Sequence, residues 1–131
     1  MLTGNSRQKN RYLAGLWQEV NSNLEHFYVI DQRGFVSAGF GLKAWEEALN
    51  CSGVEFGGDI LGYAAVLEEF NRVFADMKQF ECFYSSSMEH KTRANAEVLH
   101  SKKEALDEMA RGLQPLILGA REQLRTMPGC C

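Results

Sequence analysis

Apolar residues early in the chain recur as Leu13, Trp17, Val20, Leu24 and Phe27, at spacings of four, three, four and three. That rhythm lays one stripe along an α-helix with the seam of a coiled coil. It predicts a helix over residues 6 to 27 or slightly beyond, capped by Ser6. A second stripe, Tyr63, Leu67, Phe70, Phe74, Met77 and Tyr84, repeats the spacing, with Glu81 where the pattern asks for an apolar residue. It predicts a helix starting at Asp59, a good N-cap after Gly57-Gly58. The run Ser85 to Ser87 then interrupts the pattern, and Ser86 with Glu89 has the spacing of a capping box that restarts a helix after a tight antiparallel turn.

A third stripe carries Val98, Leu99, Leu106, Met109, Leu113, Leu116, Ile117, Ala120 and Leu124. Pro115 has no backbone donor and Gly112 weakens the helix ahead of it, so a break is expected there, with Pro115 in the first turn of a new piece. Ahead of Val98 the same face offers Lys91, Asn95 and, one turn inside, Lys102, which suits solvent or a partner's polar surface.

Seven of the twelve glycines lie between Gly34 and Gly62. One short helix fits inside that region, Leu42 to Asn50, with Leu42, Trp45 and Leu49 on one face and Gly53 just past its end. The stretch FYVIDQRGFVSAGFG, residues 27 to 41, admits two readings. In the first, strands flank Asp31 to Gly34, and the V-I-D-x-x-G-x-V pattern resembles the hairpin of PAS and roadblock-type sensory domains. That resemblance implies several further strands, and FECFY, residues 80 to 84, is the other candidate, already claimed by a helical stripe. In the second reading, which the stripe spacing favours, the first helix runs to about Asp31 and closes near Gly34. Residues 35 to 41 are then a loop whose Phe35, Val36 and Phe40 tuck under the bundle.

The expected architecture is all-α: one domain over residues 1 to 131, an antiparallel helical bundle of three long helices plus one short helix in a glycine-rich crossover. With 131 residues, 45% of them apolar, the chain is long enough for a single core. Its 17 acidic and 14 basic residues are interleaved. That is a poor footprint for nucleic acid or anionic membrane, which bind through clustered positive charge. No apolar run approaches the ~20 residues of a membrane span. The beginning, MLTGNSRQKNR, lacks the apolar stretch of a secretory signal, so a cytoplasmic location is the expectation.

Cys51, Cys82, Cys130 and Cys131 lack C-x-x-C spacing, which points to reduced thiols, with Cys82 a small buried apolar residue. The ending PGCC resembles the prenylated tails of Rab-type GTPases, but no phosphate-binding loop accompanies it, and an unmodified end is expected.

Candidate chemistry thins out on inspection. Glu97 and His100 form an E-x-x-H of the di-iron type, yet there is no second copy, and helical projection turns both residues away from the leucine stripe. His26, near the end of the first helix, suits the helix dipole, and His90 falls on a polar face. Cys51 falls near the expected C-terminal end of the short helix, away from the helix N-terminus that activates a thiol. Gly53 to Gly58 lacks the lysine of a phosphate loop.

No catalytic residue, cofactor or metal ligand is therefore assigned. The aromatic residues stand out instead, because Phe80 and Phe83 turn away from the stripe of their own helix and need another surface to cover them. Phe35, Phe40, Trp45, Phe56, Phe80 and Phe83 are the candidate interaction residues. The expected function is a non-catalytic protein-protein interaction or adaptor module that self-associates as a homo-oligomer. The alternative is a small-molecule-binding sensory domain using the aromatic, glycine-rich region 27 to 63.

Overall fold

The computed structural model describes residues 3–51 and 54–127, with side chains from residue 7 onward. The fold is all-α: α1 (Thr3–Arg33), α2 (Lys43–Leu49), α3 (Gly58–Ser85), α4 (Arg93–Arg111) and α5 (Leu113–Thr126), with a single 3₁₀ turn at Met88–His90. The second reading of residues 27 to 41 describes the chain, since α1 continues through the proposed strand. Gly34 ends α1 at φ 79°, and its N–H bonds the Ile30 carbonyl at 2.8 Å, a left-handed closure that suits glycine.

Each stripe is broader than its four-three spacing implies. Leu16 and Ile30 join Leu13, Val20, Leu24 and Phe27 in the core, whereas Trp17 is half-buried. On α2 the buried pair is Trp45 and Ala48, and Leu49 points outward. On α4 Leu99 takes the core position and its neighbour Val98, about 100° round the helix, is left exposed.

Several predicted ends move. α1 begins three residues before Ser6. α3 begins at Gly58, and Asp59 lies in its first turn. The cap at that end is supplied from afar: the Ile60 N–H donates to Gln123 Oε1 of α5 at 2.9 Å. After α3 the chain makes its 3₁₀ turn with Ser87, not Ser86, accepting from the Glu89 N–H. The helix restarts only at Thr92, whose Oγ1 accepts from the Asn95 N–H. Gly112 separates α4 from α5 and Pro115 falls in the first turn of α5, as its missing donor requires. Gly53 and the two terminal cysteines lie outside the described residues.

Packing follows from this order. α5 packs against both α1 and α3, α4 packs against α3, and α2 packs on α1. The first turn of α3 meets the last turns of α5 through Gln123, while Asp76 and Glu81 farther along meet Lys102 and Lys103 of α4. Together, α4 and α5 return along α3 in the opposite sense.

The crossover between α1 and α2 is stitched to its neighbours by side chains. Asn71 of α3 accepts from the Phe40 N–H and donates to the Phe40 carbonyl, both at 2.8 Å. Asn23 of α1 does the same for Gly41, at 3.0 and 2.9 Å. Glu19 accepts from the N–H groups of Ala44 and Trp45, satisfying donors at the start of α2. Two carboxamides thus replace the strand partners that an extended segment would otherwise need.

Candidate functional site

Between Gly34, where α1 closes, and Ala38, whose carbonyl lies 2.9 Å from His26 Nε2, residues 35 to 37 bridge a cavity of about 400 Å³. Its floor is apolar, built from Met77 of α3 and Leu106 of α4, both buried. Its rim is charged, with Lys78 and Glu81 on one side and Lys103 and Asp107 on the other. Phe35 stands at the mouth, 54% exposed. A smaller cleft of about 140 Å³, lined by Phe27, Ile30, Asp31 and Arg111 among others, shares Asp107 with it.

Glu81, the polar interruption in the second stripe, organises this rim. Lys78 Nζ donates to its Oε1 at 2.9 Å and Lys103 Nζ lies 3.0 Å from its Oε2. The Lys78 hydrogen bond, then that from Lys103, holds the Glu81 carboxyl below its usual range. The apolar stripe is therefore broken where α3 and α4 exchange charges.

Away from this rim the α3/α4 hairpin exposes several large apolar side chains. Phe80 is half-buried, with Lys102 Nζ 5.6 Å from its ring centroid and bonded to Asp76 at 2.6 Å. Phe83 stacks on His90 at 4.1 Å between centroids and remains 44% exposed. Met88, at 80%, and Val98, at 43%, lie on the turn and on α4. Sequence spacing turned Phe80 and Phe83 away from the stripe of their helix; Phe80 still packs against the core, and Phe83 is exposed. Met88 was missed because turn residues carry no periodicity.

The other predicted interaction residues divide. Phe40 and Trp45 are core: Phe40 packs edge-on against Phe70 at 5.2 Å and against His26 at 4.8 Å, and Trp45 lies 5.0 Å from half-buried Phe56. Phe35 is at the surface. His26 meets the crossover rather than the dipole at its helix end, and Cys82 is exposed on α3, not buried.

Polar groups that could do chemistry are spent on structure. Ser86 Oγ lies 2.9 Å from His90 Nδ1, which has the look of a nucleophile and its base. Both groups, however, point at one acceptor, the Phe83 carbonyl, Ser86 at 2.8 Å and His90 Nδ1 at 2.9 Å. A carbonyl cannot donate, so Nδ1 carries the proton and cannot take one from the serine. Glu97 and His100 are exposed and pair along their own helix with Arg93 and Glu104. Among the described residues no three histidine, cysteine or acidic side chains converge as metal ligands, and no helix is long and apolar enough to cross a membrane.

The buried polar centre is Asn23, whose Nδ2 donates to the Tyr63 hydroxyl at 2.7 Å as well as to Gly41. Burial pushes the Tyr63 hydroxyl up to about 12, with the Asn23 hydrogen bond opposing the rise and the Glu19 charge adding to it. Asn23 thus has its oxygen and both amide protons in hydrogen bonds that hold the crossover and Tyr63.

No protein-family model matches the chain, and no curated protein or solved structure is similar enough to it to carry an argument.

Proposed function

We propose that the chain is a non-catalytic protein-protein interaction module that self-associates through the outer face of its α3/α4 hairpin. The observation that carries this reading is the Phe80–Phe83 ring pair, 5.7 Å between centroids with Phe83 44% exposed, on a hairpin that also exposes Met88 and Val98 and has little core of its own. Past Met77 on α3 and before Leu106 on α4, Leu99 is the one buried side chain among the described residues. A second copy suits this face because the apolar rings lie beside the Asp76–Lys102 pair, so the surface carries both charge signs that an isologous contact needs.

Each large apolar side chain newly covered contributes about 1.5 to 3 kcal/mol, against an association cost of similar total size. Weak self-association, visible at high concentration, is expected. Light scattering across a concentration series tests it: a mass rising toward two chains supports the reading, and a mass of one chain throughout overturns it. Phe83→Asp with Met88→Lys changes only exposed positions and should return the rising mass to one chain.

A further inference from the structure

We propose that the cavity beneath residues 35–37 is a binding site for an amphipathic organic anion, with an apolar body against Phe35 and Val36, over the buried Met77 and Leu106, and a carboxylate held by Lys78 and Lys103. The volume of about 400 Å³ lies within the range of small-molecule sites, and an apolar floor with a few charged groups at the rim is their usual construction. The lysine donors set the kind of headgroup. Lys78 and Lys103 share the single carboxylate of Glu81, one on each of its oxygens. Each lysine has further N–H donors beyond the one aimed at Glu81. Asp107, one turn from Lys103 on α4, balances the formal charge of the rim, so these unused donors and not net charge select an acceptor headgroup.

The roof is built to admit a ligand. Gly34 supplies a left-handed turn on one side, and the bonds to Ala38, Phe40 and Gly41 fix the chain on the other. Only Phe35, Val36 and Ser37 lie between these anchors. Phe35, already at the mouth and half-exposed, is placed to close over an apolar body.

This site is independent of the self-association face. Glu81 and Phe83 are two residues apart on α3, about 200° round the helix, and so lie on nearly opposite sides of it.

The test uses the full chain with labelled methionine and leucine methyl groups, titrated with octanoate, and in parallel with octylammonium and octanol. Octanoate is expected to shift the Met77 and Leu106 methyl signals saturably, with a dissociation constant of about 1 mM or tighter. Octylammonium and octanol should bind at least about tenfold more weakly, since they lack the charge-assisted bonds. Lys78→Gln with Lys103→Gln changes largely exposed groups and should weaken octanoate about tenfold while leaving octanol unchanged. Phe35→Ala should weaken all three. No saturable shift at either methyl, equal binding of octanoate and octylammonium, or indifference to the paired lysine change would each overturn the proposal. The light-scattering result is unaffected by any of these outcomes.

Discussion

Asn23 and Gly41, eighteen residues apart, exchange two hydrogen bonds as neighbouring β-strands would, with the asparagine carboxamide standing in for a peptide group. One turn-rich crossover is thereby held to α1, and the Asn71–Phe40 pair holds it to α3 by the same device. Asn71→Ala leaves the Phe40 N–H and carbonyl without partners in a half-buried place. A loss of roughly 1 to 3 kcal/mol is expected from urea unfolding. Asn23→Leu should cost at least as much, because it also strands the buried Tyr63 hydroxyl.

Gly57 and Gln123 make a second long-range dependence. A Cβ at residue 57 would sit 1.9 Å from Gln123 Nε2, so Gly57→Ala forces that side chain away from the Ile60 N–H it caps. Gln123→Ala removes the same cap directly. Each change should destabilise by about 1 kcal/mol, and the double variant should cost clearly less than the sum. Additive losses in the thermodynamic cycle would show that the two positions act separately.

Tyr63 predicts how stability responds to alkali. Its hydroxyl is raised from 10.0 to about 12 in the folded chain. Between those values the folded state holds a proton that the unfolded state has released, so stability is whole below pH 10 and falls as pH rises toward 12. The full loss is roughly 3 kcal/mol. Guanidinium melts above pH 9 should show it, and Tyr63→Phe, though less stable at neutral pH, should show a shallower decline than the parent.

The outer half of the α3/α4 hairpin should open before the rest of the fold. It contributes Leu99 alone to the buried core, whereas α1, α5 and the first two-thirds of α3 contribute a continuous series. Amides of residues 78–85 and 93–105 are expected to exchange faster than those of 60–77 and 113–124, with opening free energies lower by on the order of 1 to 3 kcal/mol. Equal protection across both sets would contradict this.

Legibility in the sequence tracked the range of the forces involved. Local periodicity determined that the chain is helical and that α1 continues through the stretch resembling a sensory hairpin, and Gly112 with Pro115 marked the neighbourhood of the break, which falls at Gly112. Each depends on residues three or four apart, or on the backbone of one residue. Helix ends were less legible, because Gln123 caps α3 from sixty residues away and does what Asp59 was expected to do. The candidate cavity left one trace in the sequence, Glu81 out of register among apolar neighbours. That a second lysine, Lys103, joins the local Lys78 on it beside Met77 and Leu106 was decided only when α4 folded back along α3.

The aromatic residues divide in the same way. Sequence alone determined that Phe80 and Phe83 leave the stripe of α3. Tertiary structure decided that Phe40 and Trp45 are consumed in the core while Phe35 is left at the mouth of a cavity. The physical reason is that helical phase is a property of each segment, whereas burial depends on which distant surface arrives to cover it.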